Sequence, residues 1–316
     1  MLIETIKLWP DREDVALTAF VNSVKPPFSY GRRPAVIVCP GGAYETCDRH
    51  SDEGDPVAMT FAADGYQAFV LEYSITSKAP EGKTVYPAMF LDYGKAILTI
   101  REHAEEWNVD IDNISIIGFS AGGHLCGMIA TSWNNGILSE YFDVDAKIFK
   151  PLCAMLIYPV ADFMAQEEFI KVMEKREENT TPVESVTSKL FSAWFGKIKP
   201  TEEELIAESP AHIIAEDCPP VFLVGAQNDC MIDPCCTLNM ALALQNANVP
   251  YELHMYEYGD HGFGLGRYIS EPWREDKKYT ASAWVRAAKA FLLHQYAPET
   301  ADLERKPFAQ FDFSEF

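Results

Sequence analysis

A serine set between glycines, Gly118-Phe119-Ser120-Ala121-Gly122, follows the apolar run Ile114-Ser115-Ile116-Ile117 and precedes a helix-like segment from Leu125 to Thr131. A Gly-x-Ser-x-Gly turn between a strand and a helix exposes a nucleophilic hydroxyl on a strained corner. Its glycines give the backbone room to bend and to pack closely. The helix that follows aims N–H groups and the positive end of its dipole at the point where an oxyanion would form. Taken alone, the same letters also describe a glycine-rich turn carrying an ordinary serine. The rest of the chain must decide between these readings.

Two further segments end in residues that would complete the chemistry. The run Pro220-Val221-Phe222-Leu223-Val224-Gly225 reads as a strand and leads into Ala226-Gln227-Asn228-Asp229. The run Tyr251 to Tyr256 leads into Glu257-Tyr258-Gly259-Asp260-His261-Gly262, which puts His261 in a glycine-bounded loop. In this arrangement Ser120 would attack an acyl carbon while His261 takes its proton and later returns it to the leaving group. Asp229 would fix the imidazole tautomer and stabilise the imidazolium. Asp233 and Asp260 are rival carboxylates, and Asp229 is preferred for its place at a strand end.

A fourth segment supplies electrostatics. The strand Ala35-Val36-Ile37-Val38-Cys39 enters Pro40-Gly41-Gly42-Ala43-Tyr44, a glycine loop of the type that donates an N–H to an oxyanion, with the amide of Ala121 as the second donor. Loss of one such donor typically costs on the order of 100- to 1000-fold in turnover. A tight turn closing a strand is the bland alternative. Tyr44 and Phe119 adjoin these groups in sequence and are expected, with Trp194, to contact substrate.

The segments Ile6-Lys7-Leu8-Trp9-Pro10, Cys39-Pro40-Gly41-Gly42-Ala43-Tyr44, Asp55-Pro56-Val57-Ala58 and Gly118 to Leu125 resemble bacterial α/β-hydrolases of the acetyl esterase, acetylxylan esterase and esterase/lipase type. The resemblance runs from about residue 3 to about residue 295. It implies that Ser120, Asp229 and His261 form a triad and that Gly42, Ala43 and Ala121 frame an oxyanion hole. It also implies ester hydrolysis, often of acetyl groups on sugars. Ala43 departs from the pattern, because relatives usually carry a third glycine there. The N–H survives that change, while the methyl group narrows the space beside it.

The elements that must position these residues alternate along the chain. Residues 3–9 and 15–23 read as an antiparallel pair at a sheet edge, followed by strands near 34–39, 67–73, 112–118, 152–158, 219–225 and 251–257. Helical patterning fills 53–64, 87–107, 120–132, 235–247 and 273–295. Such alternation predicts an α/β fold, a mostly parallel central sheet with helices on both faces. A ligand crevice then lies outside the carboxyl ends of the strands. Residues 1–295 are expected to form the catalytic domain. Within it, residues 160–209 interrupt the alternation with a charged stretch, Glu167 to Glu178, a break at Thr180-Thr181-Pro182 and an aromatic cluster from Phe191 to Phe195. A long insertion at this face is usually functional, and a small lid is the expectation. Residues 296–316 form an aromatic and acidic tail suited to docking on this domain or on a second copy of the chain, so a homo-oligomer is one expected assembly.

Composition narrows the partners. The formal charge of −21 over 316 residues opposes binding to nucleic acid or an anionic membrane surface and favours a neutral ester, small molecule or oligosaccharide. No apolar run reaches membrane-spanning length, and the start lacks a basic region followed by an apolar stretch. The eight cysteines are too dispersed in so long a chain for a disulfide scaffold and read as thiols in a reducing cytoplasm. Cys230, Cys235 and Cys236 have no Cys-x-x-Cys pair or neighbouring histidine to complete a metal site. His124 is expected to pack or hydrogen-bond locally in the elbow helix. The other histidines outside the candidate triad follow no ligand spacing, and no cofactor is expected. The reading is therefore a cytoplasmic serine esterase acting on short acyl esters, with acetylated sugars or oligosaccharides as the expected substrates. The same groups would also serve an aryl formamidase or peptidase-like hydrolase, and a degenerate hydrolase fold used for binding is the non-enzymatic alternative.

Overall fold

Eight strands make one sheet in the order β1-β2-β4-β3-β5-β6-β7-β8 in the computed structural model, which describes residues 1–22, 31–78, 86–266 and 276–296. The strands are β1 Leu2–Trp9, β2 Arg12–Val21, β3 Arg33–Cys39, β4 Gln67–Glu72, β5 Val109–Phe119, β6 Ala154–Ile157, β7 Val221–Ala226 and β8 Tyr251–Tyr256. The expected edge pair is present as the antiparallel hairpin β1–β2, and β2 meets β4 antiparallel. Every pairing from β4 across to β8 is parallel.

Parallel strands covered on both faces are apolar on both faces, which is why these segments read as continuous hydrophobic runs. Ile37, Ile116 and Leu223 point into one core with Phe90 and Ile97 of helix α2 (Ala88–Glu102), Leu125 and Ile129 of α3 (Ala121–Ser132) and Leu244 of α8 (Pro234–Asn246). Val38, Ile117 and Val224, one residue out of phase, point into a second core with Phe61 of α1 (Asp55–Ala62) and Trp284 of α9 (Trp284–Tyr296). The register keeps the carboxyl ends in step: Cys39 pairs with Gly118, Phe119 with Ile157, and Ala226 with Tyr256. Whatever leaves those ends therefore gathers along one edge of the sheet.

Some boundaries shift. The helix expected over 87–107 ends at Glu102, and β5 starts at Val109, earlier than the apolar pattern indicates. The region expected as a helix over 273–295 is, where described, a 3-10 segment from Asp276 to Ala283 followed by α9. Between α3 and β6 lies α4 (Ile137–Phe142).

The interruption between β6 and β7 contains three helices, α5 Phe163–Lys175, α6 Thr181–Phe195 and α7 Glu202–Ala207. Asp162 starts α5 by accepting from the amides of Met164 and Ala165. The Thr180-Thr181-Pro182 break is the start of α6, with the proline in the first turn, where its missing N–H has no cost. Gly196, at φ 68°, ends that helix in the left-handed conformation that suits glycine. Thr201 and Glu204 close a reciprocal capping box on α7. The tail expected to dock, residues 297–316, lies outside the described residues.

Candidate active site

Ser120 stands between β5 and α3 with φ 51° and ψ −116°, a strained corner for a residue that bears a Cβ. Two close approaches make the corner possible. A Cβ on Gly118 would come within 2.1 Å of the Gly122 carbonyl oxygen, and one on Gly122 within 2.1 Å of the Cys39 carbonyl oxygen. The Ser120 amide donates to the Ile157 carbonyl at 3.0 Å, tying the corner to β6.

Asp229 follows β7 and His261 follows β8. His261 Nδ1 lies 2.8 Å from Asp229 Oδ2, and His261 Nε2 lies 2.8 Å from Ser120 Oγ. Asp229 Oδ1 accepts from the amides of Met231 and Ile232, so both oxygens are held, and the residue is only 6% exposed. A carboxylate facing Nδ1 requires the proton on that nitrogen, which leaves Nε2 of the neutral ring to accept from the Ser120 hydroxyl. The line of groups can therefore draw a proton from Oγ as it attacks an acyl carbon.

The rival carboxylates have other work. Asp233 caps α8 by accepting from the Cys235 amide, and burial raises its pKa. Asp260 accepts from Asn228 Nδ2 at 2.5 Å, while Asn228 Oδ1 accepts from the amides of Gly259 and Asp260. Asn228 thus pins the loop that carries His261, a role its place beside Asp229 did not suggest.

The Gly41-Gly42 loop leaves β3 and closes on itself through the Glu45 and Thr46 amides, which both donate to the Gly42 carbonyl. Gly42 adopts φ 130°, where a Cβ would come within 2.1 Å of the Thr46 carbonyl oxygen, and Ala43 follows at φ 52°. Gly42, Ala43, Ser120 and His261 line one cleft of about 360 Å³ together with Glu45, Thr46, Glu53, Pro182, Ser185, Val186, Lys189 and Met231. Ala121, the other expected donor, begins α3 directly after the serine. A larger hollow of about 490 Å³ opens beside Pro250 and Phe291, at the amino end of β8, and none of the chemical groups reaches it. Size alone does not locate this site.

The three expected substrate contacts are corrected by the structure. Tyr44, Phe119 and Trp194 are all buried and none lines the cleft. Positive φ at both Ala43 and Tyr44 turns the tyrosine inward, where its hydroxyl lies 2.8 Å from His124 Nδ1. Phe119 falls on the α1/α9 side of the sheet and packs against Tyr158 and Trp284. Trp194 stacks on Tyr86 and donates to Glu208 Oε2 at 3.0 Å. The cleft is lined by the opposite stripe of α6, Pro182, Ser185, Val186 and Lys189, at helical spacing.

His124 is a second correction. It lies in the elbow helix as expected, but its partners, Tyr44 and the Glu208 carbonyl, are remote in sequence. Burial lowers its pKa from 6.5 to about 4. Among the described residues no group of three or more His, Cys, Asp and Glu could hold a metal ion. Cys230 and Cys235 are exposed and Cys236 is buried. No helix of the described residues is long and apolar enough to cross a membrane.

With this geometry in place, comparison with known proteins assigns the family. The BD-FAE family profile matches residues 24–244. The chain belongs to the BD-FAE family. It is 29% identical over 238 residues to endo-1,4-beta-xylanase B of Butyrivibrio fibrisolvens, which covers 73% of this chain and 32% of that protein. It is 26% identical over 239 residues to acetylxylan esterase of Xylanibacter ruminicola, covering 74% of this chain and 42% of that one. The chain thus spans less than half the length of these two relatives. Among solved structures, MGS-M1, an α/β-hydrolase enzyme from a Medee basin deep-sea metagenome library, is 25% identical with a TM-score of 0.67, covering 93% of this BD-FAE chain and 98% of that chain. The fold is accordingly that of the α/β-hydrolases.

Proposed function

We propose that this BD-FAE chain is a carboxylic-ester hydrolase that uses Ser120 as nucleophile and forms an acyl-enzyme on short acyl esters, acetylated sugars or short oligosaccharides foremost. The reading is carried by the unbroken line from Asp229 through His261 to Ser120, 2.8 Å at each step, opening on a cleft beside the Gly42-Ala43 loop. In the first half-reaction Oγ attacks the acyl carbon as Nε2 takes its proton, and the imidazolium then protonates the departing alcohol. In the second, water attacks the acyl-enzyme by the same route. The amides of Gly42, Ala43 and Ala121 are the proposed donors to the oxyanion.

The acetylated-carbohydrate substrate is supported by the name of the Xylanibacter ruminicola relative and by the mixed lining of the cleft. Thr46, Ser185, Lys189 and Glu45 offer hydrogen bonds to an alcohol rich in hydroxyls, while Ala43, Val186 and Met231 offer an apolar wall to a small acyl group. We take residues 1–295 as the catalytic domain and 160–209 as its lid, supported by the stripe of α6 that lines the cleft. Cytoplasmic residence is supported by six buried thiols, those of Cys39, Cys47, Cys126, Cys153, Cys218 and Cys236.

The test has two parts. A fluorophosphonate probe should label the wild-type chain and not Ser120→Ala. Acetate release should be measured on acetylated xylo- and manno-oligosaccharides beside deformylation of N-formylkynurenine. Labelling of Ser120→Ala equal to wild type would overturn the serine mechanism, and faster deformylation than deacetylation would replace the esterase reading with a formamidase one.

A further inference from the structure

Glu53 lies just before α1, lines the cleft beside Ser120 and His261, and spends both carboxylate oxygens on groups that flank them. Oε2 accepts from the Gly41 amide at 2.8 Å, and Oε1 accepts from the Tyr158 hydroxyl at 2.7 Å. The same hydroxyl accepts from the Gly264 amide at 3.0 Å. One carboxylate therefore joins the loop after β3 to the loop after β8, through a tyrosine that follows β6.

The surroundings show how tightly this bridge is set. A Cβ on Gly41 would come within 2.7 Å of Glu53 Oε2 and 3.0 Å of Ser120 Cβ, so the carboxylate, the glycine and the serine share one close contact. Tyr158 is held at φ 40°, and its ring meets the His261 ring edge to face with centroids 5.1 Å apart. On the far side, the Gly264 carbonyl accepts from Trp284 Nε1 at 3.0 Å, which anchors the histidine loop to α9. Both oxygens face donors, so the group serves as an acceptor that holds two loops at once.

We infer that Glu53 is a positioning residue for ester hydrolysis: through Gly41 and Tyr158 its carboxylate sets the distance between the Gly42-Ala43 amides and His261, and with it the geometry that both present to Ser120. This rests on the serine-hydrolase reading above. Misplacing an oxyanion donor or the base acts on the transition state more than on the bound ester, so the defect belongs in kcat and not in KM.

The experiment compares wild type, Glu53→Ala, Glu53→Gln, Tyr158→Phe and Ser120→Ala on nitrophenyl acetate, with kcat expressed per site titrated by a fluorophosphonate and Tm followed in parallel. Glu53→Ala should lower kcat about 10- to 100-fold with KM within about three-fold of wild type. Glu53→Gln keeps an acceptor for Gly41 and should recover part of that loss. Adding Tyr158→Phe to Glu53→Ala should cost less than Tyr158→Phe costs alone, because both act through one bridge. A Glu53→Ala chain with kcat per titrated site within two-fold of wild type, while Ser120→Ala is inactive, would overturn the inference and leave the hydrolase reading standing. Full activity of Ser120→Ala would instead overturn the hydrolase reading. Should Glu53→Ala fail to fold, Tyr158→Phe and Glu53→Gln decide, and wild-type kcat in both would overturn the inference.

Discussion

The Tyr44 hydroxyl donates to Nδ1 of His124 at 2.8 Å, joining the Gly42-Ala43 loop to the helix that begins beside Ser120. The direction of that bond follows from the other end of the ring. Nε2 faces the Glu208 carbonyl at 2.8 Å, which can only accept, so Nε2 carries the hydrogen and Nδ1 of the neutral ring is the acceptor. The bond thus requires a neutral His124, and burial keeps it so by lowering the pKa to about 4.

A pH dependence of stability follows. The unfolded chain takes up the His124 proton near pH 6.5, while the folded chain resists until about pH 4. This contribution is therefore fully present above pH 6.5 and is lost as pH falls from 6.5 towards 4. Between pH 7.5 and pH 5 it should amount to about 2 kcal/mol, at 1.4 kcal/mol for each pH unit below 6.5. Urea unfolding of wild type and His124→Gln at both values isolates the term from other titrating groups. The advantage of wild type should shrink by about that amount at pH 5, and an unchanged advantage would show that His124 is not held neutral by the fold.

The choice among the three carboxylates yields a paired prediction. Asp229→Asn removes the acceptor that fixes the His261 tautomer and should lower kcat by about 10,000-fold with little effect on stability. Asp233→Ala should instead cost about 1 kcal/mol in unfolding free energy through loss of the α8 cap, with kcat within two-fold of wild type. Reversal of the two kinetic effects would assign the catalytic role to Asp233 instead.

What could be read from sequence divides along physical lines. The convergence of Ser120, Asp229 and His261 is legible because each follows an apolar strand, and the parallel register then brings those ends together. Phe119 could have been placed by parity, since it shares the α1/α9 face with Ile117. Tyr44 could not, because its direction depends on successive positive φ values at Ala43 and Tyr44 that no residue type there demands. Trp194 and Lys189 sit on one helix, and only its phase against the core decides which of them lines the cleft. Glu53 escaped notice because its partners, Gly41 and Tyr158, lie 12 and 105 residues away.

The elbow glycines differ from most glycines in the chain because backbone atoms, not flexible side chains, fill the space where a Cβ would go. Gly122→Ala would place that carbon 2.1 Å from the Cys39 carbonyl oxygen and 2.5 Å from that of Pro40. Either α3 or the end of β3 must move, at a cost of about 3 kcal/mol. We expect a chain with markedly lower Tm and weak fluorophosphonate labelling. Wild-type values for both would mean that the elbow is looser than its contacts indicate.

Acyl length tests the reassigned wall of the cleft. With Tyr44 and Phe119 in the core, the apolar boundary beside Ser120 falls to Ala43, Val186 and Met231. Val186 is 7% exposed and packed into the core beneath α6, so it has little freedom to yield to a long chain. Overfilling such a wall costs about 1–3 kcal/mol, equivalent to roughly a 5- to 150-fold loss of kcat/KM. Nitrophenyl acetate should therefore be preferred to the octanoate by a factor in that range, and Val186→Ala should narrow the gap by relieving the longer ester. A kcat/KM maximum at six carbons or more in the wild-type chain would mean that the apolar wall opens into a longer channel and that the short-acyl reading is wrong.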